Sequence, residues 1–135
     1  MTEVALADIA RCFDGVAPSS IASCSADGEP NVCYVSQLYL VDEGHVAVSN
    51  QFLNKTQRNV DENPHLAALV VDPQIGAQYT LHLTLERREV SGTLFDQLAA
   101  SIESIASLTG MQGIFRLRSA DVYRVDRCVQ VHHGR

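Results

Sequence analysis

Apolar and polar residues alternate most regularly between positions 79 and 90, in the segment YTLHLTLERREV. Apolar residues stand at every second position with polar residues between them: Tyr79, Leu81, Leu83 and Leu85 alternate with Thr80, His82, Thr84 and Glu86. Successive side chains of a β-strand point to opposite faces, so this pattern predicts a long strand with one face in the core. The other face carries hydroxyl groups, an imidazole and a carboxylate, and it is a candidate wall of a functional site.

Further segments have the composition of β-strands. They cover residues 19–25, 31–40, 45–50, 65–71 and 114–125. The turn-rich sequences DGEP and VDEG separate the first three, which predicts an antiparallel meander. In the last segment Phe115, Leu117, Tyr123 and Val125 stand on both sides of a Ser-Ala-Asp sequence that predicts a bulge or a turn.

Two segments have the periodicity of amphipathic helices. Residues 2–13 follow the pattern with Thr2 as an N-cap candidate, and an Asp-Gly pair ends that helix. Residues 94–108 follow Thr93 as N-cap, with Asp96 at N3, and end near Gly110. The apolar stripes of these two helices consist of Leu6, Ile9, Ala10, Phe13, Leu94, Leu98, Ile102 and Ile105.

A third helix is predicted over residues 54–63, in the stretch SNQFLNKTQRNVDENP, and it begins with a lysine. Asn54 has the side chain of an N-cap, Gln57 stands at N3 to close a capping box, and an Asn-Pro pair stops the helix. Lys55 and Thr56 then occupy the first two helical positions. The N–H groups of a helix start carry about half a positive charge, so a lysine there is mildly unfavourable unless an anion joins it. A bound phosphate would remove the conflict.

These elements add up to six or seven strands and three helices in a chain of 135 residues. A chain of this length buries about two thirds of its unfolded surface in a single core. No internal repeat, low-complexity segment or linker divides it, so residues 1–135 are expected to form one domain. The predicted fold class is mainly β, an antiparallel β-barrel with added helices.

Charge and hydrophobicity exclude several functional classes. The chain has ten basic and sixteen acidic residues, a net charge of −6, and no basic stripe with interleaved aromatic residues. Nucleic acid is therefore not an expected partner. The longest apolar runs, such as LAALVV at 66–71, are too short to cross a membrane, and the N-terminus lacks the pattern of a signal peptide. We expect a soluble, cytoplasmic protein.

Few residues qualify as catalytic or metal-ligating. The cysteines at 12, 24, 33 and 128 lack zinc-site spacing and are expected to be reduced. His82 lies on the polar face of its strand, where an ordinary hydrogen-bonded histidine and a general acid or haem ligand are the alternatives. His45 and His65 have no partner at metal spacing, and His132 and His133 lie in the C-terminal tail. The sequence thus predicts no metal site and identifies no catalytic side chain.

The hairpin sequence ADGEPN leaves the relation between Cys24 and Cys33 open. If Gly28 and Glu29 are its two loop residues, the thiols face each other on neighbouring strands. An Asp-Gly turn centred one residue earlier separates them.

Three sequence features together point to a known family. They are YVSQ in the second strand of the hairpin, the segment HVAVSNQFLNKTQRNVDENPHLAALVVD, and a long strand that ends in G-x-L. The most specific part is the pattern S-N-x-x-x-N-K-T-x-R-N-x-x-x-N-P. Over roughly residues 15–126 the chain resembles the pyridoxamine 5′-phosphate oxidase-like, FMN-binding split-barrel superfamily.

The resemblance implies a six- to seven-stranded split β-barrel that binds FMN at the interface of a homodimer. The cofactor-binding residues that it implies are Lys55 and Thr56 at the phosphate, with Arg58 nearby, Ser49 and Asn50 at the strand end, Val35, Ser36 and Gln37 at the ring edge, and Gln78 and Tyr79 from the second subunit.

The function that the resemblance implies is an oxidoreductase that passes hydride or electrons through FMN, from a reduced small-molecule donor to a small-molecule acceptor. The enzyme that names the superfamily has a denser set of basic residues, and its substrate-binding segment has no match in VYRVDRCVQVHHGR, so oxidation of pyridoxamine phosphate is not expected. Two alternatives stay open. One is a flavin-binding sensor or regulatory module without turnover, and the other is a split barrel that binds haem or a deazaflavin.

Overall fold

The computed structural model describes residues 3–110 and 116–131. Within them the chain forms seven β-strands, two α-helices and one 3₁₀ helix. In chain order these are the 3₁₀ helix Leu6–Phe13, β1 Ser19–Cys24, β2 Pro30–Val35, β3 Leu38–Asp42, β4 His45–Asn50, α1 Asn54–Glu62, β5 His65–Val71, β6 Gln78–Glu89, α2 Thr93–Thr109 and β7 Ser119–Gln130. The predictions for Thr2, Phe115, His132 and His133 lie outside the described residues.

The strands form one antiparallel sheet that curls on itself. Their order is β2-β1-β5-β6-β7-β4-β3, so β2 and β3 are the two outer strands. A flat sheet with six spacings of about 4.8 Å would separate its outer strands by about 29 Å. Only Ser36 and Gln37 join β2 to β3, and three Cα steps span at most about 11 Å. The sheet is therefore curled into an open barrel with its split between β2 and β3, and the predicted antiparallel split barrel is confirmed.

The core follows from alternation along the strands. On β6, Tyr79, Leu81 and Leu83 are buried, while His82 between them is exposed. The same cluster contains Leu38, Val46, Val48, Val70 and residues of the 3₁₀ helix. The prediction that one face of β6 meets the core is thus confirmed. Neither α-helix in the described part of the chain has the length and hydrophobicity to cross a membrane.

The predicted single strand 31–40 is wrong. The chain forms β2 and β3 with a break at Ser36 and Gln37, and these two strands do not pair with each other. The predicted meander is therefore also wrong, although its two hairpins, β1 with β2 and β3 with β4, are present. The physical reason is the curl of the sheet, because the chain crosses here from one outer strand to the other.

The hairpin between β1 and β2 separates the two cysteines. Cys24 pairs with Pro30, and Cys33 pairs with Ile21. Ser25 and Glu29 close the turn, with the Ser25 N–H donating to the Glu29 carbonyl at 3.0 Å. Gly28 has φ +86°, a conformation that glycine adopts without strain. The loop is therefore one residue longer than a two-residue turn, and all four cysteines are free.

The helices have the predicted positions but differ in their ends. The first is a 3₁₀ helix that begins at Leu6 and is kinked at Ile9, and it buries Leu6, Ile9, Cys12 and Phe13 and leaves Ala10 exposed. No side chain caps α1 or α2, which have Leu53 and Gly92 in their N-cap positions instead of Asn54 and Thr93. Helix α2 ends at Gly110 with φ +71°, as predicted. Its buried residues are Leu98, Ile102 and Ala106, whereas Ile105 of the predicted stripe is 47% exposed.

Strand β7 runs without a turn through Ser119, Ala120 and Asp121, so the predicted break there is wrong. It also continues beyond the predicted end at 125 to Gln130. Asp121 is only 4% exposed because β7 lies between β6 and β4. Its carboxylate accepts hydrogen bonds from Ser119 Oγ at 2.6 Å and from Asn50 Nδ2 at 3.3 Å. One near partner, Ser119, and one distant in sequence, Asn50, thus allow a residue typical of turns to lie inside a strand.

Candidate functional site

The first turn of α1 is positively polarised and holds a lysine. Its leading N–H groups have no partner inside the helix, and no acidic side chain lies in this turn. Lys55 is partly exposed, and its Nζ lies 3.2 Å from Glu29 Oε1. Thr56 is 5% exposed, and its Oγ1 accepts a hydrogen bond from Asn31 Nδ2 at 3.1 Å. The Thr56 hydroxyl proton is left to donate to an anion or to the Cys33 sulfur, 3.6 Å away.

The β1–β2 turn lies across α1 at both of its ends. Glu29 contacts Lys55 at the start, and the Ala26 N–H donates to Glu62 Oε1 at 2.8 Å at the end. The Glu29–Lys55 pair is exposed, and pairs of this kind contribute little to stability. An anion that binds at the helix start therefore competes with a weakly held carboxylate.

Two adjoining cavities open next to the start of α1. The first has a volume of about 200 Å³ and is lined by Tyr34, Val35, Ser36, Ser49, Gln51, Phe52 and Leu53. The second, of about 240 Å³, is lined by Ser36, Tyr39, Gln51, Ile102 and Ile105. Ser36 and Gln51 belong to both linings. The structure thus brings together Val35, Ser36 and Ser49, three of the residues predicted from the sequence, and Leu53 connects them with the helix start.

Gln51 is a residue of this site that the sequence reasoning missed. It follows β4 directly, and its Oε1 is buried without a hydrogen-bond partner among the described residues. Tyr34, Tyr39 and Phe52 were missed as well. The only available signal was their position in the sequence, since they lie in or next to YVSQ and SNQFLNKT.

The side chain of Asn50 points into the protein and is 1% exposed. Its Nδ2 donates to Gln57 Oε1 at 2.7 Å and to Asp121 Oδ2 at 3.3 Å, and its Oδ1 accepts from Arg118 Nη2 at 3.2 Å. Burial raises the pKa of the Asp121 carboxyl, and hydrogen bonds from Ser119 and Asn50 oppose that shift. Asn50 therefore ties the end of β4 to α1 and β7, and its side chain has no polar group left for a ligand.

Gln37 turns away from Ser36 and the two cavities. Its Nε2 donates to the Phe13 carbonyl at 2.8 Å. Gly15 makes this position possible, because a Cβ at Gly15 would lie 2.7 Å from Gln37 Oε1 and its φ is +84°. Gln37 instead lines a cleft of about 360 Å³ between the 3₁₀ helix, β3 and α2, which shares Tyr39 with the second cavity.

Gln78 and Tyr79 line neither of the two cavities. The Gln78 carbonyl accepts from the Val131 N–H at 2.9 Å, and Tyr79 is 8% exposed within the core. Burial raises the pKa of the Tyr79 hydroxyl. Their approach to a flavin on a second subunit stays a prediction.

The polar face of β6 contributes to a separate cavity of about 480 Å³, whose lining includes His65, His82 and Asp126. Thr84 Oγ1 donates to Asp126 Oδ2 at 2.5 Å, and this bond is the main reason that the pKa of the Asp126 carboxyl is lowered. A threonine hydroxyl has one proton, so at its second contact, 3.2 Å from His65 Nδ1, it accepts. His65 Nδ1 therefore carries hydrogen and Nε2 of the neutral ring is an acceptor. No cluster of three or more metal-ligating side chains occurs among residues 3–110 and 116–131.

Sequence comparison assigns most of the chain to one family profile. The profile of the pyridoxamine 5′-phosphate oxidase family matches residues 8–125. An uncharacterised protein of Methanocaldococcus jannaschii is 41% identical over 49 residues, which amount to 35% of this chain and about a third (33%) of that relative.

Solved structures share the fold at low sequence identity. An FMN-binding protein from Syntrophomonas wolfei subsp. wolfei is 17% identical with a TM-score of 0.77, over 96% of this chain and 88% of that one. An F420 reductase is 16% identical with a TM-score of 0.63, over 96% and 98%. The haem storage protein HutZ from Vibrio cholerae is 19% identical with a TM-score of 0.56, over 95% and 90%. At these identities the similarity establishes the fold alone, and the names of the three proteins refer to three different cofactors.

Proposed function

The chain belongs to the pyridoxamine 5′-phosphate oxidase family, and on that basis we propose that it is an FMN-binding oxidoreductase whose flavin lies at a homodimer interface. The observation that carries the proposal is that Leu53, in the N-cap position just before the first turn of α1 with Lys55, lines a cavity together with Ser36, Ser49 and Gln51. A phosphate needs a polarised donor set, and a flavin ring needs an apolar slot with a few polar groups. We assign the first role to the start of α1 and the second to the cavities that begin at Leu53.

The residues at the site fit the parts of FMN. Lys55 and the first N–H groups of α1 would hold the phosphate, with the Thr56 hydroxyl as a further donor. Ser49, Ser36 and the backbone of Val35 would line the pocket beyond it. Arg58, on the exposed side of the helix, adds positive charge nearby.

FMN, when bound, supplies the hydride and electron transfer, and the chain supplies binding, orientation and access to the ring. The polar side chains that line the two cavities belong to serine, tyrosine and glutamine. Among the described residues this lining contains no histidine, carboxylate, lysine or cysteine, so it is suited to chemistry that a bound ring carries out. The donor and the acceptor are then small molecules that reach the ring from solvent.

A second copy of the chain would cover the exposed apolar residues around the site. Tyr34 is 75% exposed, Phe52 65% and Val32 69%, and Leu108 at the end of α2 is 88% exposed. Apolar residues gathered around a pocket mark interaction surfaces. In such a dimer Gln78 and Tyr79 of the other subunit are proposed to complete the pocket.

The experiment that tests the proposal compares FMN with riboflavin, which lacks the phosphate. Charge-assisted hydrogen bonds contribute about 1.5–3 kcal/mol each, so Lys55→Ala is expected to weaken FMN about 10- to 100-fold and to leave riboflavin affinity unchanged. Fluorescence titration measures both. Arg127→Ala is the matched control, because it removes the same charge from an exposed site on β7. Equal affinity of wild type and Lys55→Ala for FMN would exclude the assigned phosphate site.

An absorption spectrum and size-exclusion chromatography of the purified protein test the rest. Flavin bands on a dimer would support the proposal, and bleaching of those bands by NADH or NADPH without oxygen would support an oxidoreductase. A Soret band would show that the bound cofactor is haem and not FMN. Bound flavin that no donor reduces would favour a sensor or regulatory module.

A further inference from the structure

The carboxamide oxygen of Gln51 has an unmet hydrogen-bonding requirement. It is buried and has no donor within reach among residues 3–110 and 116–131. No hydrogen bond of the described residues engages the NH₂ group of the same carboxamide either. Buried acceptors are nearly always paired, because leaving one unpaired costs about 1–3 kcal/mol. A donor from outside the described chain is therefore expected at this point.

Gln51 stands where the two cavities of the site meet. One cavity leads to Leu53 and the start of α1, and the other lies between β3 and α2. Tyr39, Ile102 and Ile105 make the second cavity mostly apolar, and the Tyr39 hydroxyl lies 3.3 Å from Ser101 Oγ, which connects β3 with α2. A ligand that fits this second cavity thus needs an apolar body and a polar edge that faces Gln51.

A primary carboxamide offers an acceptor and a donor side by side. The ring system of a flavin has the complementary arrangement on its pyrimidine part, an imide edge with one N–H between two carbonyl groups. We propose that Gln51 recognises this imide edge, with Oε1 accepting the imide N–H and the NH₂ group donating to a neighbouring carbonyl. This inference rests on the proposed flavin function and adds a ring-recognition residue to it.

Gln51 would then also restrict the choice of ligand. Flavins and deazaflavins share the imide edge, whereas a porphyrin has none, so Gln51 selects for the first two classes and against the third. A site built to hydrogen-bond one group rejects an analogue without that group, because its own buried polar atom is then left unpaired.

The test uses the ring alone, without ribityl chain or phosphate. Lumiflavin and 3-methyllumiflavin differ only at the imide nitrogen, which carries hydrogen in the first and a methyl group in the second, and fluorescence titration gives the affinity of each. Wild-type protein is expected to prefer lumiflavin by about 10- to 100-fold. Gln51→Leu should bind the two analogues about equally. Gln97→Leu, the same change at an exposed position of α2 outside both cavities, should keep the wild-type preference.

Each result has a distinct meaning. Equal affinity of wild type for the two analogues, no binding of lumiflavin, or a preference that survives Gln51→Leu would overturn the inference, and the last would show that the methyl group acts by bulk. If wild type prefers lumiflavin but binds FMN no better than riboflavin, the phosphate assignment fails while the role of Gln51 is supported.

Discussion

Asn50→Ala is expected to destabilise the protein without a matching loss of flavin affinity, whereas Ser49→Ala is expected to do the reverse. The two residues are neighbours at the end of β4, but their side chains point in opposite directions. Asn50 is 1% exposed and hydrogen-bonds to α1 and β7. Ser49 lines the cavity next to α1, and its hydroxyl makes no hydrogen bond to the described residues.

The expected loss of stability in Asn50→Ala follows from the groups that lose their hydrogen bond to the Asn50 side chain. A typical hydrogen bond contributes about 0.5–1.5 kcal/mol net, and a buried group left without a partner costs about 1–3 kcal/mol. In this variant Asp121 is buried but keeps its hydrogen bond from Ser119 Oγ at 2.6 Å. Gln57 and Arg118 are near enough to solvent for water to replace the hydrogen bond that each loses. We therefore expect Asn50→Ala to lower the free energy of unfolding by about 2 kcal/mol and Ser49→Ala to change it by less than about 0.5 kcal/mol.

Urea unfolding followed by circular dichroism gives the free energies, and fluorescence titration of the folded variants gives their FMN affinities. The reasoning would be refuted if Asn50→Ala stayed within about 0.5 kcal/mol of wild type. It would also be refuted if the folded Asn50→Ala protein lost more FMN affinity than Ser49→Ala, because Asn50 would then contact the ligand itself.

Two further predictions concern histidines. A hydrogen bond to Asp42, and a second one to Glu86, raise the pKa of His45 above its ordinary value of 6.5. Its contribution to stability is then complete below about pH 6.5 and is lost as the pH rises through the folded-state pKa, so the difference in urea midpoint between wild type and His45→Gln should shrink from about pH 5.5 to pH 8.5. A constant difference would contradict this. At high pH, ¹⁵N spectra of the imidazole should show His65 with hydrogen on Nδ1, and Thr84→Val should abolish that preference. Hydrogen on Nε2 in wild type would exclude a Thr84 hydroxyl that accepts from His65.

The elements with the strongest local pattern were predicted correctly. Strand β5 spans His65–Val71, the predicted residues, and β4 spans His45–Asn50, also as predicted. Both are short apolar runs bounded by turn residues, and β5 lies between two neighbours in the sheet. Helix α2 ends at Gly110, where a left-handed conformation requires glycine or a similarly permissive residue. In these places local chemistry and the final fold favour the same structure.

The features that the sequence did not reveal depend on contacts between distant residues. Asp121 belongs to a strand because Asn50, on β4, donates to it. The separation of Cys24 and Cys33 depends on where the turn between β1 and β2 is centred, which no pattern of alternation determines. Gln51 can be recognised only from the fold, because its distinguishing feature is a buried carboxamide oxygen without a hydrogen-bond partner among the described residues.

The break at Ser36 and Gln37 connects the fold with the candidate site. β2 and β3 are the outer strands of the sheet, and each has one edge without a neighbouring strand. Tyr34 and Val35 of β2 line the first cavity and Tyr39 of β3 lines the second, while Ser36, between the two strands, lines both. A continuous strand over 31–40 would have kept these residues on one edge of the sheet and left no gap between them. The candidate site therefore lies beside the break between β2 and β3, where Ser36 lines both cavities, and its described residues contain no catalytic motif.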